Sequence, residues 1–154
     1  MATRIKPATA KDLYDEDFYV WTGRQADLLR ARRFDELDLE NLIEEVGDLG
    51  GALKSSVLNN ARVIMEHLLK LQFSPATDPR TGWAETVVEH RTRLESDLTP
   101  RLRQILADEL PRLYALTRRG TERKLRLHGE HAAAEVLPAD CPYTPDQITG
   151  DWWP

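Results

Sequence analysis

A chain of 154 residues holds about one domain and can bury a real core without disulfide or metal staples. With 41% hydrophobic and 31% charged residues and a net charge of −5, it reads as a soluble globular protein with no global pull toward nucleic acid. The lone cysteine, Cys141, excludes an intrachain disulfide and fits a reducing cytoplasm; no apolar run nears the roughly 20 residues a membrane span needs.

The opening MATRIKPATAKD has positive charge but no apolar stretch, so it is no secretory signal. It is expected to be a mobile arm over residues 1–11, leaving 12–154 as one helical domain. From Asp15 to Arg33, Phe18, Trp21, Gln25, Leu28 and Leu29 recur at helical spacing. Asp15 is the expected cap, with Glu16 and Asp17 favoured by the helix dipole. After a turn at Phe34-Asp35, Asp38 is the next cap candidate. A long stripe follows it: Leu39, Leu42, Val46, Leu49, Leu53, Val57, Ile64, Leu68 and Leu71, ending before Ser74-Pro75. Gly47, Gly50 and Gly51 interrupt it at a cost of about 1 kcal/mol each against alanine. The apolar phase survives the glycines, which favours a bend over a break.

Ala76 to Gly82 reads as a polar loop. A third helix from about Trp83 to Leu98 would turn Trp83, Val87, His90 and Leu94 inward. Thr99-Pro100 is a cap followed by proline at the first helical position. The fourth helix carries Leu102, Ile105 and Leu106, and Pro111 predicts a kink or short break near Asp108 before it resumes toward Leu127. Beyond Gly129 the chain reads mostly as loop, but Tyr143, Trp152 and Trp153 are costly to leave in water, so the tail should dock. No β-pattern of useful length appears. The expected fold is all-α, an antiparallel bundle of about four main helices with an irregular C-terminal tail.

DLYDEDFYVW, RFDELDLENLIEEVGDLG, HLLKLQFSP, the W–x–x–T–V–x–E–H–R run and CPYT with its Trp-rich end together resemble a bacterial family known as domain of unknown function 29, over about residues 12 to 154. The resemblance implies an all-helical fold and carries no established activity. Where that family usually has glutamine this chain has His90, and its three closely spaced glycines are not typical.

Several polar residues fall on the apolar faces. Taking Leu42 as zero and about 100° per residue, Asn60 lies near 0°, His67 near 340° and Leu71 near 20°, while Glu45 sits near 300° on the border. Glu44 and Asp48 face away. Gln25 and His90 add polar groups from the first and third helices. One reading is a polar pocket of His67 with Glu45 or His90, doing acid–base work or holding a metal. The other, which weighs more, is buried polar groups satisfied by neighbours and fixing register. The Glu-x-x-His pairs of di-iron bundles are missing, since Glu66 adjoins His67 and Glu89 adjoins His90. No metal or cofactor is expected.

His128 and His131 offer only two ligands, too few for a metal site. Cys141 has no adjacent base, and neither a GxSxG elbow nor a phosphate loop is present. Between Arg112 and His128 six basic residues face one acid, Glu122. Arg118, Arg119, Arg123, Lys124 and Arg126 could meet phosphate, but charge pairing with the acidic second helix or plain solvation weighs more, and no nucleic-acid motif supports the former. The function expected is a non-catalytic cytoplasmic binding or protein-interaction module, able to self-associate through its helices. A metal- or acid–base-dependent enzyme around His67 is the alternative, and nucleic-acid binding through 118–126 the second.

Overall fold

The computed structural model describes residues 10–154, with side chains from Leu13 onward. The arm expected over 1–11 lies outside these residues, apart from Ala10 and Lys11, which begin the first helix. The described chain is all-α: α1 (Ala10–Glu16), α2 (Phe18–Arg30), a 3-10 turn (Phe34–Glu36), α3 (Leu39–Phe73), α4 (Arg80–Asp97), α5 (Pro100–Leu127), α6 (His131–Glu135) and α7 (Pro145–Thr149). No strand occurs among the described residues. Two compact units divide it, Met1–Gly51 and Ala52–Pro154.

In the first unit the expected single helix is two. Asp15 lies inside α1, and the cap of α2 is Asp17, whose side chain accepts from the Val20 N–H at 3.0 Å. Both acids stand before the same apolar run; Asp17 is the one whose backbone has left helical geometry. α2 closes with the Arg33 N–H on the Leu28 carbonyl and the Arg32 N–H on the Leu29 carbonyl, a Schellman ending. Arg32 occupies the left-handed position there (φ 56°), where glycine would cost less. Trp21, Gln25 and Leu28 are buried, and Tyr14, Phe18 and Trp21 contact one another at centroid distances of 5.0–5.8 Å. Asp38 binds this group to the start of α3. Its carboxylate accepts from Trp21 Nε1 and Asn41 Nδ2, its N–H donates to Gln25 Oε1, and its carbonyl receives the Leu42 N–H.

α3 is one unbroken helix through Gly47, Gly50 and Gly51. Its stripe, however, has two fates. From Val57 onward its apolar residues are buried or half-buried, whereas Leu39, Val46, Leu49 and Leu53 remain 49–67% exposed. Periodicity fixed which residues share a face and left open whether another surface covers them.

The second unit packs the later half of α3 against α4 and α5. Ser56 meets Asp97 and Asn60 meets His90, so α3 and α4 run antiparallel; Lys54 pairs with Glu109 and Glu66 with Lys124, so α3 and α5 run parallel. Val57, Ile64, Leu68, Val87, Leu94, Leu106 and Tyr114 form the centre of its core. α4 begins at Arg80, inside the expected loop. α5 is capped by Thr99 and runs as one helix through Pro111, so of the expected kink or short break the break does not occur. Pro111 is exposed, so the Ala107 carbonyl that loses its partner can turn to water. Gly129 (φ 78°) ends α5, with the Glu130 N–H on the Leu125 carbonyl.

The tail docks, as its aromatic content predicts. Tyr143 and Ile148 are buried, and Trp152 is half-buried. Tyr114 donates to the Pro138 carbonyl at 2.6 Å. The principal latch is Arg91 on α4, buried itself, which donates to the carbonyls of Gln147, Ile148 and Trp152 at 2.7–3.1 Å and stacks under Trp153.

Candidate functional site

His67 stands on α3 and His90 on α4, and His90 is the smallest of the influences that lower the pKa of His67. His90 Nδ1 lies 2.6 Å from Asn60 Oδ1. Asn60 Nδ2 donates to the Ser56 carbonyl, so Oδ1 is the acceptor and His90 Nδ1 carries the proton. Ser56 Oγ in turn donates to Asp97 at 3.2 Å. These polar groups therefore satisfy one another in a line across the helix pair, the behaviour of a register device.

His67 differs. It is half-buried, and its Nδ1 is enclosed with no hydrogen-bond partner. Burial first, then the ammonium of Lys70, pulls its pKa down to about 4, so it is neutral at pH 7. Its sequence neighbour Glu66 is buried, and its Oε1 accepts from both Lys70 (2.7 Å) and Lys124 (2.6 Å). Burial raises that carboxyl, but the two lysine hydrogen bonds outweigh it and hold the group at about 2.

Glu45 does turn inward, yet it belongs to the first unit, about six helical turns before His67 on α3. Its Oε1 accepts from the Tyr14 hydroxyl at 2.6 Å, a bond that pushes the phenol up to about 12. Of the three residues expected around one pocket, Glu45 pairs with Tyr14, His90 pairs with Asn60, and His67 Nδ1 has no partner. No three His, Cys, Asp or Glu side chains gather to hold a metal ion among the described residues. His128 and His131 are both exposed. Burial pushes the Cys141 thiol up, opposite to what a nucleophile needs.

The basic segment on α5 is partly engaged internally. Arg118 donates to the Leu137 carbonyl and lies 3.7 Å from Glu122, Arg126 pairs with Glu122, and Lys124 pairs with Glu66. Arg119 and Arg123 are exposed with no ion pair among the described residues.

An apolar surface outside the core lies in the first unit. α2 and the early turns of α3 enclose a groove of about 360 Å³ lined by Phe18, Trp21, Gln25, Leu29, Leu42, Glu45, Val46 and Leu49. Phe18 and Leu29 are each 47% exposed, Val46 66% and Leu49 67%. At the groove wall Gln25 is 2% exposed, and its Nε2 is a buried donor with no partner. The surrounding unit is acidic: residues 1–51 hold 12 Asp and Glu against 7 Lys and Arg, the entire net charge of −5, whereas residues 52–154 balance at 14 and 14. The sequence marked every one of these apolar residues as a helical face. The clue to their exposure was the low count of other helices available to cover the first third of the chain.

The family described as Domain of unknown function DUF29 matches residues 13–153, nearly the whole chain. No curated protein matches, and no solved structure does.

Proposed function

We propose that this chain, which belongs to the Domain of unknown function DUF29 family, is a non-catalytic protein-interaction module acting in the cytoplasm. The observation that carries this is the groove between α2 and α3: apolar, open and outside the core. An apolar groove between two helices suits the apolar face of a third, the way an amphipathic helix lies in a groove. An exposed apolar patch of this kind on a charged surface marks a place where another protein binds. The cytoplasmic setting draws on the single cysteine and on the absence, among the described residues, of any helix long and apolar enough to cross a membrane.

The test is calorimetric titration with a synthetic amphipathic helical peptide of leucine and arginine. Binding with a negative heat-capacity change, lost in Leu49→Asp and kept in Val88→Asp on α4, supports the reading. Absence of binding, or binding that Leu49→Asp leaves unchanged, overturns it.

A second reading, acid–base chemistry at His67, is favoured by the enclosed, unpartnered Nδ1. It predicts a stoichiometric ligand or metal in the purified protein that His67→Ala loses. Nucleic-acid binding through 118–126 has weaker support, because Arg118, Lys124 and Arg126 have internal partners.

A further inference from the structure

The groove has a counterpart on the same chain. Leu116, Arg119, Arg123 and Leu127 are spaced three and four apart along α5 and share one exposed side of it. Leu127 closes the helix 85% exposed, with Arg123, Lys124 and Arg126 around it, and Leu116 is 48% exposed. This is an apolar knob ringed by cations. The groove is an apolar concavity with Glu45 on its wall and exposed Asp48 one turn beyond, in a unit that bears the whole net charge of −5. The charges of the two patches are complementary, and the exposed guanidiniums of Arg119 and Arg123 have no ion pair among the described residues.

We infer that the occupant of the groove is a second copy of this chain, whose α5 end seats Leu127 in the groove of its neighbour. The inference rests on the reading of the groove as a docking site. Two different patches meet, so the interface is heterologous, and the pair retains one free groove and one free knob for further neighbours. Groove-to-groove pairing is disfavoured, because it sets two acidic units against each other.

The experiment is sedimentation velocity of the full chain across a concentration series. We expect the mass to rise with concentration and the dissociation constant to rise about tenfold between roughly 50 and 500 mM salt, as screening weakens the charge contacts. Leu49→Asp spoils the groove, and Leu127→Asp with Arg123→Glu spoils the knob. These positions are exposed, so circular dichroism should stay unchanged, and each variant alone should be monomeric. Mixed in equal amounts, they should form a dimer and nothing larger, since one intact groove meets one intact knob. A wild-type chain that stays monomeric overturns the inference, as does an oligomer that both variants still form, or a mixture that fails to pair. Should the chain stay monomeric while the leucine–arginine peptide still binds in a Leu49-dependent way, the docking reading survives and only the second copy is lost. Failure of both removes the two together.

Discussion

His67→Leu tests the account of the second unit at its least satisfied point. In the folded protein His67 titrates near 4, against an ordinary 6.5, chiefly because burial disfavours its charge and Lys70 repels it. The groups that act on it are Glu66 and Lys70 on α3, Lys124 on α5 and His90 on α4. Below pH 6.5 the unfolded chain takes up a proton that the folded chain refuses, so stability is full above 6.5 and falls as the pH drops toward 4. At 1.36 kcal/mol per pH unit the full shift would amount to about 3 kcal/mol, and solvent screening at this half-buried ring lowers that to about 2. Leucine fits the surrounding apolar stripe and removes the unpartnered Nδ1. Urea unfolding of both proteins at pH 7.5, 6.5, 5.5 and 4.5 reads the effect. We expect similar stability at pH 7.5, and a variant about 2 kcal/mol more stable relative to wild type at pH 4.5. Equal slopes with pH in the two proteins would refute burial of the ring as the cause.

Glu66→Gln leaves Lys70 and Lys124 facing a neutral amide and should cost about 2 kcal/mol at pH 7; because the native carboxyl sits near 2, the wild-type advantage should persist above pH 4.5 and fade as the pH drops toward 2, as seen in melting temperatures. Arg91→Lys keeps the charge but cannot serve three carbonyls and stack on Trp153; we expect a loss of about 2 kcal/mol and faster proteolysis after residue 140, measured by limited digestion. Pro111→Ala restores an N–H to the Ala107 carbonyl and should raise stability by about 1–3 kcal/mol, measured by urea unfolding.

Helix positions were legible because apolar residues recur at three and four, and the Thr99-Pro100 and Gly129 signals marked the ends of α5 within a residue or two. Asp15 was chosen over Asp17 because sequence shows two acids and hides which backbone bends. Pro111 was expected to kink or break α5; the helix does not break, because its place on the solvent side lets the freed carbonyl be hydrated. His67 and His90 were recognised as partly enclosed polar groups, but the partner of each depends on facing helices: Asn60 for His90, none for His67 Nδ1. Glu45 was expected to turn inward and does, toward Tyr14, a residue outside the helix used to place it. Arg91 closes the W–x–x–T–V–x–E–H–R run, but nothing in that run showed what it would hold. It sits beside His90 in a weakly patterned helix, and its value comes from a tail some 56 to 61 residues away. The exposed half of the α3 stripe was illegible for a related reason, since periodicity describes one surface and covering it takes two.

The three bonds from Arg91 end on main-chain oxygens, which every amino acid possesses. Residues 147 and 152 can therefore drift in identity while the grip on their backbone persists, so long as the chain keeps its path and length. An insertion or deletion between 147 and 152 would move those oxygens out of reach and should do far more harm than exchanging an exposed side chain such as that of Asp151.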